Sequence, residues 1–344
     1  MSDIKDQITS TTSIKAPDLP ARGRRRFQWG SIAILIPLVV VFVALSIGSP
    51  AFLSARNLSI VLDRESAPLL IGAAWTLVLI AGGFDLSVGA TYYFVSVVTA
   101  TLVIQIGGVG GTLLGILIGV ALGVIVGVVS GIVSTYLRIN SLIATLAMNF
   151  IVTGVANLVS QIVKSTNGQL RVTDPAITWI ATSLRAPAIT IPTWITLVVV
   201  VVLGVVLWRT TFGRYVYAVG GNAEAARLAG IRVNLVKIGT FAIAGFTAGI
   251  GGIIDLARTQ APPESDSVAL TTTFLVLAGV VVGGTSILGG EGAIWRSVVG
   301  IIFIALLYNG FTLLQIDPLW QNVALGALIL IAVGIDAWTR VRRH

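Results

Sequence analysis

Long apolar runs separated by short polar stretches follow one another along the chain from residue 30 to residue 337. A helix that crosses the ~30 Å hydrocarbon core of a bilayer needs about 20 mostly apolar residues, so runs of this length predict membrane spans. The clearest runs are 30–48, 112–135, 142–163, 193–208, 238–254, 293–313 and 320–337. Three further candidates are 66–82, 87–106 and 269–288. We therefore predict an all-α integral membrane protein with about ten transmembrane helices.

Composition supports a membrane protein and excludes most enzymes. Of the 344 residues, 56% are hydrophobic and 10% are charged, whereas soluble domains carry about 25% charged residues. The chain has no cysteine, and its one histidine is His344, so thiolate nucleophiles, catalytic triads and most metal sites are excluded. No lysine follows a glycine, so the chain has no P-loop for ATP. We expect no catalytic residue, no metal site and no cofactor bound by this chain.

The distribution of basic residues predicts the orientation in the membrane. Residues 1–28 are polar and then basic, as in a disordered cytoplasmic tail, and residues 339–344 form a second short cytoplasmic tail. If the spans between 29 and 338 alternate from a cytoplasmic N-terminus, sixteen of the 22 lysines and arginines lie on the cytoplasmic side. This bias favours two cytoplasmic termini and an even number of spans. The net charge of +8 is thus explained by topology, without a nucleic-acid partner.

A carboxylate stands beside hydrocarbon in the stretch from Ala81 to Ala90, which joins two apolar runs. In one interpretation, the glycines end a helix and Asp85 caps the next one at a short cytoplasmic turn. In the other, the stretch is a break within a membrane helix where Asp85 and backbone amides face a polar pathway. Both interpretations can hold together.

Five glycines recur at every fourth position of one predicted span: Gly115, Gly119, Gly123, Gly127 and Gly131. Small residues on one helix face let a neighbouring backbone approach closely, so we predict a packing role. The pattern leaves open whether the neighbour belongs to the same chain.

The predicted inner loop, 209–237, contains a short helix outside the membrane. Asn222 is a good N-cap, Glu224 suits the first turn, and Gly230 is a natural stop. A helix of about two turns is marginal alone, so it must pack on something. It either lies on its own membrane domain or docks a cytosolic partner.

Few polar residues are predicted at membrane depth. Asn149, Asn157 and Gln161 share roughly one helix face, and Asn309 lies in a late span. They either form hydrogen bonds between helices or line a sugar-sized polar path. Asp255 and Arg258, three residues apart, are expected to pair or to lie at the interface. The sequence shows no chain of buried acids, which disfavours a proton-driven mechanism.

Three motifs resemble those of the permease subunits of bacterial ATP-binding-cassette sugar importers of the ribose type. They are Gly82 to Gly89, Thr211 to Ile231, and Gly283 to Gly292, the last followed by Asn309-Gly310 and Pro318 to Gln321. The resemblance runs from about residue 30 to 338, and Asp85 to Gly89 favour the sugar branch over the related amino acid and nucleoside permeases. Arg296 and Thr153 depart from the family's usual glycine and arginine.

The resemblance implies a permease in the bacterial inner membrane that passes a monosaccharide or polyol inward by alternating access. Its implied partners are a second permease copy, identical or not, a periplasmic sugar-binding protein, and a cytosolic ATPase that holds ATP and magnesium. The implied coupling residues are Gly221, Asn222, Glu224, Ala225, Ala226, Arg227, Leu228 and Gly230. The expected residues of the substrate path are Phe84, Asp85, Ser87, Asn149 and Asn309. An ion- or proton-coupled transporter, an amino acid or nucleoside permease, and a non-transporting scaffold are the alternatives.

Overall fold

The computed structural model describes residues 35–182, 189–263, 266–317 and 319–341. The expected tail 1–28 and residues 342–344 of the second tail lie outside this part of the chain. Within it, the helices are α1 (Leu35–Gly48), α2 (Ala55–Arg64), α3 (Ser66–Ile80), α4 (Val88–Ile106), α5 (Gly108–Tyr136), α6 (Ser141–Asn167), α7 (Pro175–Thr182), α8 (Ile191–Arg209), α9 (Thr211–Gly221), α10 (Ala223–Leu228), α11 (Val233–Thr259), α12 (Asp266–Val282), α13 (Ile294–Leu313) and α14 (Leu319–Val341). Every described element is a helix, so the all-α prediction is confirmed.

Each of the ten predicted apolar runs coincides with a helix. Among the described residues, six helices are long and apolar enough to cross a membrane: α4, α5, α6, α8, α11 and α13. Shorter apolar segments lie in α1, α3, α12 and α14. The structure is therefore that of a multi-pass membrane protein.

The centre of the bundle is formed by α3 and α11. Helix α3 is apolar on all sides, and from Leu69 to Ile80 its side chains are almost completely enclosed, with α8, α9, α11, α12 and α13 packed against the helix. A helix without a polar face is stable only where it is surrounded. Helices α5, α6 and α8 instead expose apolar side chains such as Leu117, Phe150 and Val198, as expected for surfaces covered by lipid.

The glycine ladder of α5 packs against α11 and α4 of the same chain, which answers the question that the sequence left open. A Cβ at Gly123 would lie 2.5 Å from the carbonyl oxygen of Gly245, and one at Gly127 would overlap the carbonyl oxygen of Phe241. At Gly119 a Cβ would lie 2.8 Å from a methyl group of Val95 on α4. The predicted packing role is confirmed.

Three helices lie in stretches where the sequence analysis predicted none: α2, α7 and α9. Helix α9 contains three glycines in eleven residues, which is a composition of low helix propensity. It begins where the hydroxyl of Thr210 accepts a hydrogen bond from the N–H of Gly213 (3.2 Å). Its packing against α8 and the loops described below stabilises a helix that local propensity does not predict.

Candidate functional site

Helix α10 projects from one end of the bundle, which we call the α10 end. The side chain of Asn222 accepts hydrogen bonds from the N–H groups of Glu224 (3.0 Å) and Ala225 (2.9 Å), so it is the N-cap, as predicted. Gly230 has a left-handed backbone (φ +83°) and ends the turn, also as predicted.

The outer face of α10 is open. Glu224 and Arg227 are exposed and form an ion pair of 3.0 Å along the helix. Leu228 beside them is 83% exposed and adds an apolar group to this surface. Ala226 alone of the predicted coupling residues is buried, and it packs against the rest of the protein. The helix therefore presents a mixed apolar and charged surface.

Behind α10, the end of α9 fits against two loops that are distant in sequence. The Cα of Gly220 lies so close to the loop after α3 that a Cβ would overlap the carbonyl oxygen of Ile80. The same oxygen accepts a hydrogen bond from the N–H of Gly290 (2.9 Å), in the loop between α12 and α13. The hydroxyl of Tyr217 on α9 donates to the carbonyl of Gly292 (2.8 Å). Burial raises the pKa of Tyr217, which keeps this hydroxyl protonated as a donor.

Glycines form the contact surfaces where these three segments meet. A Cβ at Gly289 would lie 2.9 Å from the Cα of Gly82, and one at Gly290 would lie 3.1 Å from the Cα of Gly221. We call the five glycines 82, 220, 221, 289 and 290 the glycine junction. It joins the three motifs that the sequence analysis identified separately, and no side chain other than hydrogen would fit at its closest contacts.

Asp85 lies in the loop that leads from the glycine junction to α4. It is buried, and its Oδ1 accepts hydrogen bonds from the N–H (2.9 Å) and the hydroxyl (2.5 Å) of Ser87. Ser87, not Asp85, occupies the N-cap position of α4. The expected capping role is therefore corrected: Asp85 stands two residues too early and orders the turn before the helix. The Ser87 hydroxyl also lies 3.3 Å from that of Ser130 on α5.

Helix α6 holds the main chain of this loop through two hydroxyl groups. The Ser141 hydroxyl accepts from the N–H of Phe84 (3.0 Å), and the Thr145 hydroxyl accepts from the N–H of Leu86 (2.9 Å). Asn149 follows one turn later on the same face of α6, is buried, and its Oδ1 has no hydrogen-bond partner. The structure thus brings Phe84, Asp85, Ser87 and Asn149 to one region.

Asn309 lies elsewhere. Its side chain exchanges two hydrogen bonds with that of Asn57 on α2 (3.0 and 2.9 Å). It is fifteen residues beyond the start of α13, so it is about 20 Å from the glycine junction. Arg258 pairs with Asp255, as predicted, and Tyr93 donates to Asn157 (2.9 Å).

Comparison with known sequences identifies the family. The sequence profile described as "Branched-chain amino acid transport system / permease component" matches residues 57–333. The chain belongs to this permease family. It is a transport component and not an enzyme.

Several relatives match nearly the whole permease. The ribose import permease protein of Escherichia coli (strain K12) is 32% identical over 303 residues, covering 88% of this chain and 92% of the relative. The L-arabinose ABC transporter permease protein of Azospirillum brasilense is 33% identical over 352 residues, covering 100% of this chain and 99% of the relative. The D-allose transport system permease protein of Escherichia coli (strain K12) is 30% identical over 309 residues, covering 90% and 91%. No solved structure matches the chain.

In the described part of the chain, a cavity opens near each end of α3. The first, of about 360 Å³, lies between α10 and the glycine junction and is lined by Arg138, Arg227 and Lys237 together with Gly82 and Ser141. Its three cations attract anionic or strongly polar groups to the base of α10.

The second cavity, of about 310 Å³, lies at the other end of α3 and is lined by Glu65 and Tyr308 among others. The sequence analysis did not single out these two residues. Glu65 immediately precedes the apolar run 66–82, and an acidic residue at the start of a predicted span was the only sequence feature that indicated a polar site there.

Proposed function

We propose that the permease is the membrane-spanning subunit of an ATP-binding-cassette importer that carries a monosaccharide or a related polyol into the cytoplasm. The observation that carries this proposal is the 30–33% identity, over 88–100% of the chain, to permeases of ribose, L-arabinose and D-allose. The host membrane in this proposal is a bacterial inner membrane. The partners are a cytosolic ATPase, which holds ATP and magnesium, a periplasmic sugar-binding protein, and a second permease copy, identical or not.

The proposed topology has ten spans: the six long helices and α1, α3, α12 and α14. Helix α3 has fifteen residues, about 22 Å, and is continued by the Asp85 loop, as in discontinuous membrane helices. In this topology both termini, the tails 1–28 and 339–344, and the coupling loop 209–237 are cytoplasmic. In the same topology lipid covers the outward-facing sides of the spans, and this chain binds no nucleic acid and no cofactor.

In the proposed mechanism, α10 is the coupling helix. Its exposed Glu224, Arg227 and Leu228 form the surface that a groove on the ATPase receives. The glycine junction leaves no free space between α9 and Ile80, so movement of α9 and α10 is passed to α3 and to the α12–α13 loop. ATP binding on the partner thereby shifts the permease between inward-open and outward-open states.

The proposed path for the sugar passes the polar groups around the Asp85 loop. Asp85 and the unpartnered amide oxygen of Asn149 are buried polar groups at the inner half of the bundle. Phe84, whose ring meets Trp75 edge-on at 5.8 Å, provides an apolar surface beside them. Asn309, paired with Asn57, belongs in this proposal to the outer part of the path.

The test is reconstitution of the permease in proteoliposomes with its ATPase and binding protein. The panel of labelled substrates contains D-ribose, L-arabinose, D-allose, leucine and a nucleoside. We expect ATP-dependent uptake of at least one sugar and no uptake of leucine or the nucleoside. Uptake by the permease alone, driven by a proton or sodium gradient, would instead establish a secondary transporter. Partner binding without flux of any substrate would establish a scaffold.

A further inference from the structure

The second cavity, which we call the Glu65 cavity, is a polar chamber inside an apolar bundle. It lies between the α2–α3 junction and helices α4, α11, α12, α13 and α14, opposite the α10 end. Its lining includes Arg64, Glu65, Tyr92, Asp255, Arg258, Thr271 and Tyr308. Its volume of about 310 Å³ is at the lower end of the range of small-molecule sites.

Two buried polar atoms of this cavity have no hydrogen-bond partner. Glu65 is 6% exposed and its Oε2 is unpaired, and Tyr308 is 7% exposed and its hydroxyl is unpaired. The two groups are close enough for the Glu65 charge to act on the Tyr308 hydroxyl. Buried polar groups are nearly always satisfied, because an unmade hydrogen bond in a low-dielectric interior is costly. An acceptor and a donor left open in the same chamber indicate a ligand that supplies both.

The other acid of the cavity is already occupied. Asp255 accepts from the hydroxyl of Tyr92 through Oδ2 and from the guanidinium of Arg258 through Oδ1, both at 2.5 Å. This arrangement fixes one wall of the chamber, whereas Glu65 Oε2 and the Tyr308 hydroxyl are buried atoms of the lining without a hydrogen-bond partner.

The charges of the lining decide the class of ligand. The two carboxylates of Glu65 and Asp255 are matched by the two guanidinium groups of Arg64 and Arg258. Burial raises the pKa of Glu65 to about 7, although Arg64 and Arg258 act in the opposite direction. Near neutral pH its carboxyl group can therefore accept or donate a hydrogen bond, and no strong fixed charge in the lining favours an ionic ligand. A neutral molecule with several hydroxyl groups can donate to Glu65 and bond Tyr308 without an unbalanced charge.

We propose that the Glu65 cavity is a binding site for one neutral polyhydroxylated molecule, a monosaccharide or a polyol, at the entry side of the transport path. Glu65 accepts a hydrogen bond from one ligand hydroxyl, and Tyr308 bonds another. This inference rests on the proposed function and extends it by naming a substrate site that the sequence motifs do not include.

The first test compares two variants with two matched controls in the reconstituted transporter, at saturating sugar-loaded binding protein. Glu65→Gln and Tyr308→Phe change the open groups with little change of volume. Asp317→Asn keeps the acceptor that caps α14, and Tyr136→Phe removes an exposed hydroxyl at the opposite end.

We expect sugar uptake per ATP hydrolysed to fall about threefold to tenfold in Tyr308→Phe, as for loss of one hydrogen bond, and at least about threefold in Glu65→Gln, because the amide replaces one carboxyl oxygen with an NH₂ group. Both controls should match the wild type. Normal uptake by both variants would overturn the site, and so would a parallel loss of uptake and ATP hydrolysis, which indicates a structural role.

The second test leaves Glu65 and Tyr308 intact and uses the absence of cysteine from the chain. A single cysteine replaces the exposed Thr271 in the cavity or, as a control, the exposed Ala55 outside it. A small charged methanethiosulfonate reagent is added with and without D-ribose, L-arabinose or D-allose. We expect the transported sugar to slow modification of Thr271→Cys at least fivefold and to leave Ala55→Cys unchanged.

Equal rates with and without sugar at Thr271→Cys would overturn the site and would indicate a chamber that holds only water. The two proposals fail in different ways. If the wild type takes up no sugar, the proposed function fails. If the wild type transports a sugar that neither protects Thr271→Cys nor depends on Glu65 and Tyr308, only the Glu65 cavity is refuted.

Discussion

The closest contact of the glycine junction predicts that one methyl group at Gly220 disrupts coupling, whereas one at Gly221 does not. In Gly220→Ala, the new Cβ would overlap the carbonyl oxygen of Ile80 and lie 2.7 Å from the nitrogen of Gly290. Real Cβ atoms do not approach backbone atoms within 3.0 Å, so α9 must move away. In Gly221→Ala the Cβ meets nothing within 4 Å.

The two substitutions are expected to change stability in opposite directions. Overpacking costs about 1–3 kcal/mol, and weakening the hydrogen bond from Gly290 to Ile80 costs about 1 kcal/mol more. Alanine in place of glycine favours the helix by up to about 1 kcal/mol. The net effect is a loss of about 1–3 kcal/mol for Gly220→Ala and a gain of about 0–1 kcal/mol for Gly221→Ala. A loss of 2 kcal/mol is roughly a 30-fold shift in the equilibrium between seated and displaced α9.

Two measurements on the purified transporter check this prediction: the thermal unfolding midpoint of the permease and the number of sugar molecules imported per ATP hydrolysed. We expect both to fall in Gly220→Ala, since a displaced α9 no longer bears on Ile80, and neither to fall in Gly221→Ala. Equal behaviour of the two variants would refute the argument that close contact at Gly220 transmits movement. A lower midpoint with unchanged coupling would limit the junction to stability.

Three further substitutions test other parts of the structure. Glu224→Lys should not prevent insertion of the permease into the membrane, but it should lower sugar uptake to less than a tenth of the wild-type rate. It breaks the exposed ion pair of α10 and reverses the charge of the docking surface. Normal uptake would contradict docking through α10. Asp85→Asn keeps the oxygen that accepts hydrogen bonds from Ser87, so the turn should be preserved. We expect sugar uptake to fall about tenfold because the negative charge is lost. Normal uptake would show that Asp85 only orders the turn. Gly127→Ala should lower the thermal midpoint, with a loss of about 1–3 kcal/mol, because its Cβ overlaps the carbonyl of Phe241 on α11, whereas Gly204→Ala, with nothing within 4 Å, should not.

Features encoded by neighbouring residues were predictable from the sequence. The N-cap at Asn222 and the stop at Gly230 depend on contacts within three residues, and both were confirmed. The glycine ladder repeats at the helical period, so its packing role was predictable, although its partner was not. Apolar runs marked the positions of ten helices but not the short α2, α7 and α9, whose stability depends on tertiary packing.

Contacts between distant segments could not be predicted in the same way. Gly220 contacts Ile80, more than a hundred positions earlier in the sequence, and Gly290, about seventy positions later. The residue types at these positions do not indicate that the segments meet. Asn309 and Asn57 are 252 positions apart. The sequence around Asn309 was therefore compatible both with a hydrogen bond between helices and with a place in a polar path. Asp85 was expected to cap α4 because aspartate favours that position, but the helix begins two residues later than the local pattern suggested.

Helix α3 connects the two sites proposed for the permease. Glu65 immediately precedes it, Ile80 is its last residue, and the side chains between them are almost wholly enclosed, so α3 has little freedom to bend. A displacement imposed on Ile80 by α9 therefore moves Glu65 at the far end, about 22 Å away. Linkage is reciprocal. If docking of the ATPase on α10 changes the affinity of the Glu65 cavity for sugar by some factor, bound sugar must change the affinity of α10 for the ATPase by that same factor. Sugar in the Glu65 cavity and ATP on the partner are thus expected to act on one equilibrium through one buried helix.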